Sequence, residues 1–194
     1  MKKILSLTIV IFIVAVSTES ASAQAWERHS KVIALGFGAS QFFHIDNYYY
    51  GQANNARQWY WPVTGQINVQ GEFGVHDYVG LGFTTGVGGR AGLGYGYAGE
   101  INIPMGMIVN FHFYQLIANK SSKNIHADKL DIYAGLNAGS GLAITYYSNS
   151  TRLVPLAFGG PHVGLRYYPI RKFGLNVELG FGKSIINGGF VFKL

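Results

Sequence analysis

Three features of the sequence predict an all-β protein, an eight-stranded antiparallel up-and-down barrel that crosses a membrane. They are apolar–polar alternation in repeated stretches, a composition rich in glycine and tyrosine but poor in charge, and an export signal at the amino end. The alternation is plainest from Val63 to Val75. Val63, Gly65, Ile67, Val69, Gly71, Phe73 and Val75 share one parity, and Thr64, Gln66, Asn68, Gln70, Glu72 and Gly74 share the other. A period of two is a strand, because successive side chains point to opposite faces. Its length exceeds what a soluble sheet needs and suits a tilted strand crossing a bilayer, for which ~9–11 residues suffice.

The amino end reads as a cleaved signal peptide over residues 1–23, with one barrel domain over 24–194. Lys2 and Lys3 precede an apolar run from Ile4 to Val16, and Ala21-Ser22-Ala23 supplies the small-x-small cleavage site before Gln24. The run is shorter than the ~18 residues of a spanning helix. All 27 glycines lie after it, as do the 13 tyrosines. Charged residues make up only 12% of the chain, which suits a barrel wall better than a soluble core. There are no cysteines, which excludes disulfides, thiolate chemistry and an acylated anchor. The net charge of +6 comes without a Lys/Arg run. It is read as solvated surface or contact with lipid phosphates, and no nucleic acid partner is expected.

The strands follow in order. The first, Val32 to Gln41, sends Ile33, Leu35, Phe37 and Ala39 outward; the second is Val63 to Val75. The third, Tyr78 to Gly88, sends out Val79, Leu81, Phe83 and Val87. In the fourth, Gly99 to Tyr114, Ile108 interrupts a polar inner row, and Pro104 predicts a bulge or a missing ladder bond. The fifth, Leu130 to Thr145, places Asp131, Tyr133 and Asn137 inside. The sixth, Leu156 to Tyr168, the seventh, Phe173 to Gly182, and the eighth, Ile185 to Leu194, keep the alternation. Short turns at 75–77 and 168–172 share one end, the periplasmic side if such turns are short. The other end carries loops at 42–62, 89–98 and 146–155, whereas 115–129 is an unexplained long connection on the short-turn side. Aromatic residues gather at both ends, with Trp59, Tyr60, Trp61, Tyr146 and Tyr147 at one and Tyr78, Phe111, Phe113, Tyr167 and Phe173 at the other. They are read as interfacial girdles.

Phe190-Val191-Phe192-Lys193-Leu194 puts apolar residues at the last, third-last and fifth-last positions. With the export signal and eight alternating strands, the chain resembles the small outer-membrane barrels of the OmpA-transmembrane, OmpX and OmpW type. Leu194 stands where that family most often has Phe. The resemblance implies a Gram-negative outer-membrane location, with lipid and lipopolysaccharide as surroundings. It also implies recognition of the last strand by the outer-membrane assembly machinery, and it carries no catalytic residue.

The inward parity collects Glu72, Glu100, His112, Asp131, His162, Arg166, Glu178 and Lys193. An eight-stranded barrel is just wide enough for side chains to fill. These groups are therefore expected to form a plug of ion pairs centred on Arg166 and Lys193, since unpaired buried charge is very costly. A narrow solute path using His112 and His162 is the alternative. The two histidines lack ligand-spaced partners, so no metal is expected, and no cofactor or enzymatic activity is expected either. Gly94-Tyr95-Gly96-Tyr97-Ala98-Gly99 matches a phosphate-binding pattern but has no helix after it. His44, Asp46 and Ser40 near the outer rim do not assemble a catalytic set. The expected function is display of outer loops for binding or adhesion, or an envelope-structural role. The 42–62 segment is the candidate surface, through Tyr48, Tyr49, Tyr50, Arg57, Trp59, Tyr60 and Trp61. A secreted lipocalin-like barrel is a further alternative, disfavoured because the inner parity is polar.

Overall fold

The computed structural model describes residues 24–44, 63–94, 97–121, 125–147 and 149–194. The strands are β1 (Lys31–Gln41), β2 (Phe43–His44), β3 (Val63–His76), β4 (Val79–Gly94), β5 (Tyr97–Phe111), β6 (Leu130–Tyr147), β7 (Ser150–Ile170), β8 (Phe173–Gly180) and β9 (Ile186–Lys193). Among the described residues one helix, α1 (Phe113–Lys120), follows β5. Every pairing among the described residues is antiparallel, and β1 pairs with both β3 and β9 while β7 pairs with both β6 and β8, so eight strands, all but β2, close a ring. Closure removes the sheet edges that hydrocarbon would leave unpaired.

The two parities separate as the alternation predicts. Phe37, Ile67, Met107, Leu136, Val163 and Phe181 are exposed on the outer face. Glu72, Asn102, Asp131, Arg166 and Glu178 are buried inside. This inverts the soluble arrangement, and only an apolar surround removes that outer surface from water. Ile108, the exception in the inner row, is buried there. At Pro104 the β4–β5 register continues unchanged, but pairing lapses between Thr85↔Met105 and Gly88↔Asn102. The proline removes a ladder bond without creating a bulge, and the Thr85 hydroxyl donates to the Pro104 carbonyl at 3.1 Å.

Three connections differ from expectation. β4 and β5 remain paired to Gly94↔Tyr97, and β6 and β7 to Tyr147↔Ser150, so the anticipated loops at 89–98 and 146–155 are mostly strand. Beyond the apolar band nothing requires alternation, and the ladder outlasts its hydropathy signal. Of the segment Gly94 to Gly99, Gly94 and Tyr97 are paired, and Tyr95 and Gly96 lie outside the described residues. The 115–129 connection contains α1, which begins at Phe113, where the sequence suggested continued strand. The long 42–62 connection keeps only β2 within the described residues. Tyr48, Tyr49, Tyr50, Arg57, Trp59, Tyr60 and Trp61 lie outside them, as does Asp46.

The hairpin of β8 and β9 is short, eight residues a side against the 21 of β7. Over its turn the end of β1 bends across: Gln41 N–H donates to the Gly182 carbonyl and Ile185 N–H to the Ala39 carbonyl. β2 then takes the free upper edge of β7 at Phe43↔Ala157 and His44↔Leu156. The ring thus narrows above this turn, where β8 and β9 have dropped out. The narrowed section is filled by Phe42, Ala143, Val154, Leu156 and Phe158, with the two phenyl rings 5.6 Å apart edge to face.

Candidate functional site

Among the described residues, the buried ionisable side chains gather in the lumen, which is built in layers. At the short-turn end, residues 24–30 fold under the barrel. Ala25 N–H donates to the Ala127 carbonyl, His29 N–H to that of Gly74, and Gly74 N–H to that of Ser30. They carry Trp26 into the bore, fully buried against Val32, Ala34, Tyr168 and Val191. Its indole stacks on the His112 imidazole, with ring centroids 3.6 Å apart and planes within 5°.

Above Trp26 lies a cluster of four ionisable groups. Arg166 meets Glu72 at 2.5 Å and Asp131 at 3.6 Å. His112 Nε2 lies 2.9 Å from Glu72 and Nδ1 2.8 Å from Asp131. Both imidazole bonds can be donated only when both ring nitrogens carry hydrogen. With that proton the cluster holds two cations and two anions and sums to zero, the condition under which buried charge is tolerated. Glu72 belongs to β3, yet its partners project from β7 and from the end of β5. It reaches them across β4 because Gly80 has no side chain; a Cβ there would overlap the Glu72 carboxylate and press on the Trp26 ring. The Arg166 guanidinium also lies over the Tyr133 ring, 4.3 Å from its centroid.

A second charged pair sits above the first. Lys183 donates to Glu178 at 2.5 Å and to the Gln70 amide oxygen at 2.7 Å, while the Tyr133 hydroxyl donates to Glu178 at 2.7 Å. Around it runs a layer of amides. Asn68 and Asn187 bond each other over β1 at 3.0 Å, and His162 lies 2.8 Å from the Asn110 side-chain oxygen and 3.3 Å from the Asn137 side-chain nitrogen. The Ser40 hydroxyl lies within hydrogen-bond reach of both the Gln66 side chain and the Lys183 carbonyl, which occupies it in packing. Nearer the other rim, Arg90 and Glu100 stand 3.6 Å apart.

The structure brings Glu72, His112, Asp131 and Arg166 into one cluster and sets Glu178 in the pair above it. His162 joins the amide layer and Glu100 the rim. Lys193 is corrected: it lies half-buried at the mouth, donating to the Gln24 carbonyl at 2.7 Å, and the second central cation is Lys183. Lys193 is the last residue of β9, where the ring ends, so its inward parity points it only into the opening. Lys183 escaped sequence reading because it enters the lumen from a turn, where no parity applies. Trp26 was equally hidden in a segment before the first strand. Among the described residues no group of three His, Cys, Asp or Glu side chains is placed to hold a metal ion.

No family model matches the sequence, and no curated protein matches it. Solved structures do match. The outer membrane protein OprG of Pseudomonas aeruginosa superposes with a TM-score of 0.56 at 12% identity, over 89% of this chain and 99% of that one. The N-terminal β-barrel domain of OprF from the same organism gives 0.52 at 12% identity, over 86% and 98%. Ail, the attachment invasion locus protein of Yersinia pestis, gives 0.46 at 12% identity, over 86% and 95%. At such identity the likeness to OprG and OprF is one of fold: the chain has the fold of the small eight-stranded outer-membrane β-barrels.

Proposed function

We propose that this chain is a non-enzymatic outer-membrane barrel with a closed lumen, serving as a rigid platform for the 42–62 connection at the cell surface. The observation that carries the closed lumen is that described side chains occupy it at three levels. Trp26 occupies the short-turn end, the paired charges of Arg166 and Lys183 the middle, and the Phe42–Phe158 contact the narrowed upper part. The same filling counts against a solute path through His112 and His162. The exposed apolar outer face counts against a soluble lipocalin-like carrier. In support of the platform, a long connection on a stiff ring is thermodynamically cheap to vary, and it is where such folds place recognition. The aromatic, Asn and Arg content of 42–62 suits adaptable contact.

The test is one preparation read in two ways. The mature protein should co-sediment with outer membranes and change gel mobility on boiling, and in planar bilayers it should give no steady unitary current. Recovery as a water-soluble monomer would end the membrane reading, and large steady currents would end the closed-lumen reading.

A further inference from the structure

Among the described residues, the Lys and Arg side chains that are exposed are Arg28, Lys31, Lys120, Lys129 and Arg171, and all five lie at the short-turn end. None of them forms an ion pair with a described residue. Glu27, Asp77 and Asp128 are the acidic side chains outside the lumen at this end, and Asp77 stands apart in the β3–β4 turn. The patch is therefore net basic and lopsided.

Its placement follows the strand order. Lys129 immediately precedes β6, whose first residue, Leu130, pairs with the exposed Tyr167. Arg171 and Lys172 form the β7–β8 turn between the paired residues Ile170 and Phe173. Lys31 opens β1 opposite the exposed Phe73, on the parity of Ile33, Leu35 and Phe37. The carbonyls of Lys172 and Lys31 accept from Lys193 and Leu194, each at 2.9 Å, so the two residues flank the end of β9. Two interstrand spacings separate them, roughly 10 Å. Across five consecutive strands the cations thus stand one or two residues beyond the last lipid-facing apolar side chains. That is the depth of headgroup phosphates, and long basic side chains at such an edge extend into that layer.

We propose that the arc of Lys129, Arg171, Lys172 and Lys31, with Arg28 behind it, is a binding surface for anionic phospholipid headgroups in the leaflet at the short-turn end. It rests on the membrane reading above and adds a lipid class and a side of the barrel to it. The phosphates belong to phospholipid rather than lipopolysaccharide because the arc occupies the end of the short turns, opposite the long connection.

The experiment uses the full mature chain inserted into phosphatidylcholine vesicles containing trace spin-labelled lipid. Association of labelled phosphatidylglycerol is compared with that of labelled phosphatidylcholine. One basic group at a membrane surface gives about a fivefold preference for anionic lipid. The parent protein should show at least that, and the preference should fall below about twofold in the Lys31→Gln, Lys129→Gln, Arg171→Gln, Lys172→Gln variant. Folding of the variant is read separately, by its boiling-dependent gel shift in pure phosphatidylcholine. Should the fourfold variant fold poorly, Arg171→Gln alone, in an exposed turn, must still lower the preference. An equal preference in parent and variant overturns the proposal, as does no preference in the parent. Stronger displacement of the label by lipopolysaccharide than by phosphatidylglycerol overturns it too, since the arc would then face the other leaflet. A parent that fails to insert into phosphatidylcholine refutes the membrane reading itself, which keeps the two failures distinct.

Discussion

Replacing Arg166 with Leu removes one of two cations from the cluster formed with Glu72, Asp131 and His112, all of them buried. With His112 doubly protonated the parent cluster sums to zero, and the substitution leaves one uncompensated negative charge away from water. Breaking a buried pair in this way costs ~3–5 kcal/mol. Glu72→Gln errs in the other direction and leaves one uncompensated positive charge. The double variant, Glu72→Gln with Arg166→Leu, keeps only Asp131 and His112 and is balanced again. It should therefore lose less stability than the two single losses added together, by at least ~1 kcal/mol of coupling for groups in direct contact. Reversible urea titration in lipid vesicles, read by the fraction that keeps its unboiled gel mobility, gives all four free energies. A single-variant loss under ~1 kcal/mol, or strict additivity, would mean that water reaches the cluster. The reasoning from burial would then fail.

Leu136 is 64% exposed on the outer face, and Arg there should cost ~2–4 kcal/mol if it meets the bilayer midplane, measured by the same titration. No loss would show that this face does not meet hydrocarbon. Gly164 lies beneath the Tyr133 ring, and a Cβ there would overlap it. Gly164→Ala should destabilise by ~1–3 kcal/mol through overpacking, with partial rescue by Tyr133→Phe if loss of the hydroxyl frees the ring to shift. Replacing residues 45–62 by a short Gly/Ser turn should leave insertion and the boiling-dependent gel shift intact while removing any surface binding. Failure to assemble would assign that segment to the fold instead.

Strand identity and side were legible because the membrane imposes one rule on nearly all crossing residues, with Ile108 an exception: apolar out, polar or small in. Leu165 and Arg166, or Leu179 and Glu178, are unambiguous under that rule. Where the rule stops, so does the signal. The upper parts of β4 to β7 leave the apolar band, and their pairing depends on backbone bonds that leave no trace in hydropathy. Gln115 illustrates the helix that was missed. It is fully buried and donates to the Ala127 carbonyl at 3.2 Å, a tertiary contact invisible in a polar stretch. The ionic cluster was half legible. Parity identifies Glu72, Asp131 and Arg166 as inward, but depth along the bore requires the register, and the register alone separates Lys193 at the mouth from Arg166 in the middle.

Register is also what the buried charges are best placed to protect. A strand such as β4, with glycine at 80, 82, 86, 88, 89, 92 and 94, offers few side chains by which one alignment differs from its neighbours, and such strands are prone to slip. A one-residue slip anywhere in the ring turns inner groups toward lipid. On β7 it would expose Arg166 and bury Leu165; on β3 it would expose Glu72. Each charge facing hydrocarbon costs up to ~2–4 kcal/mol for a basic residue, and its former partner is stranded in the bore as well. A buried ion pair is weak evidence for net stability against a hydrophobic alternative. Its worth here lies in the difference between alignments: Arg166 from β7 is ion-paired with both carboxylates only when Glu72 from β3 and Asp131 from β6 arrive at the same depth. Three separate strands must be in register for one guanidinium to be paired, and this condition supplies the selectivity that a glycine-rich wall lacks.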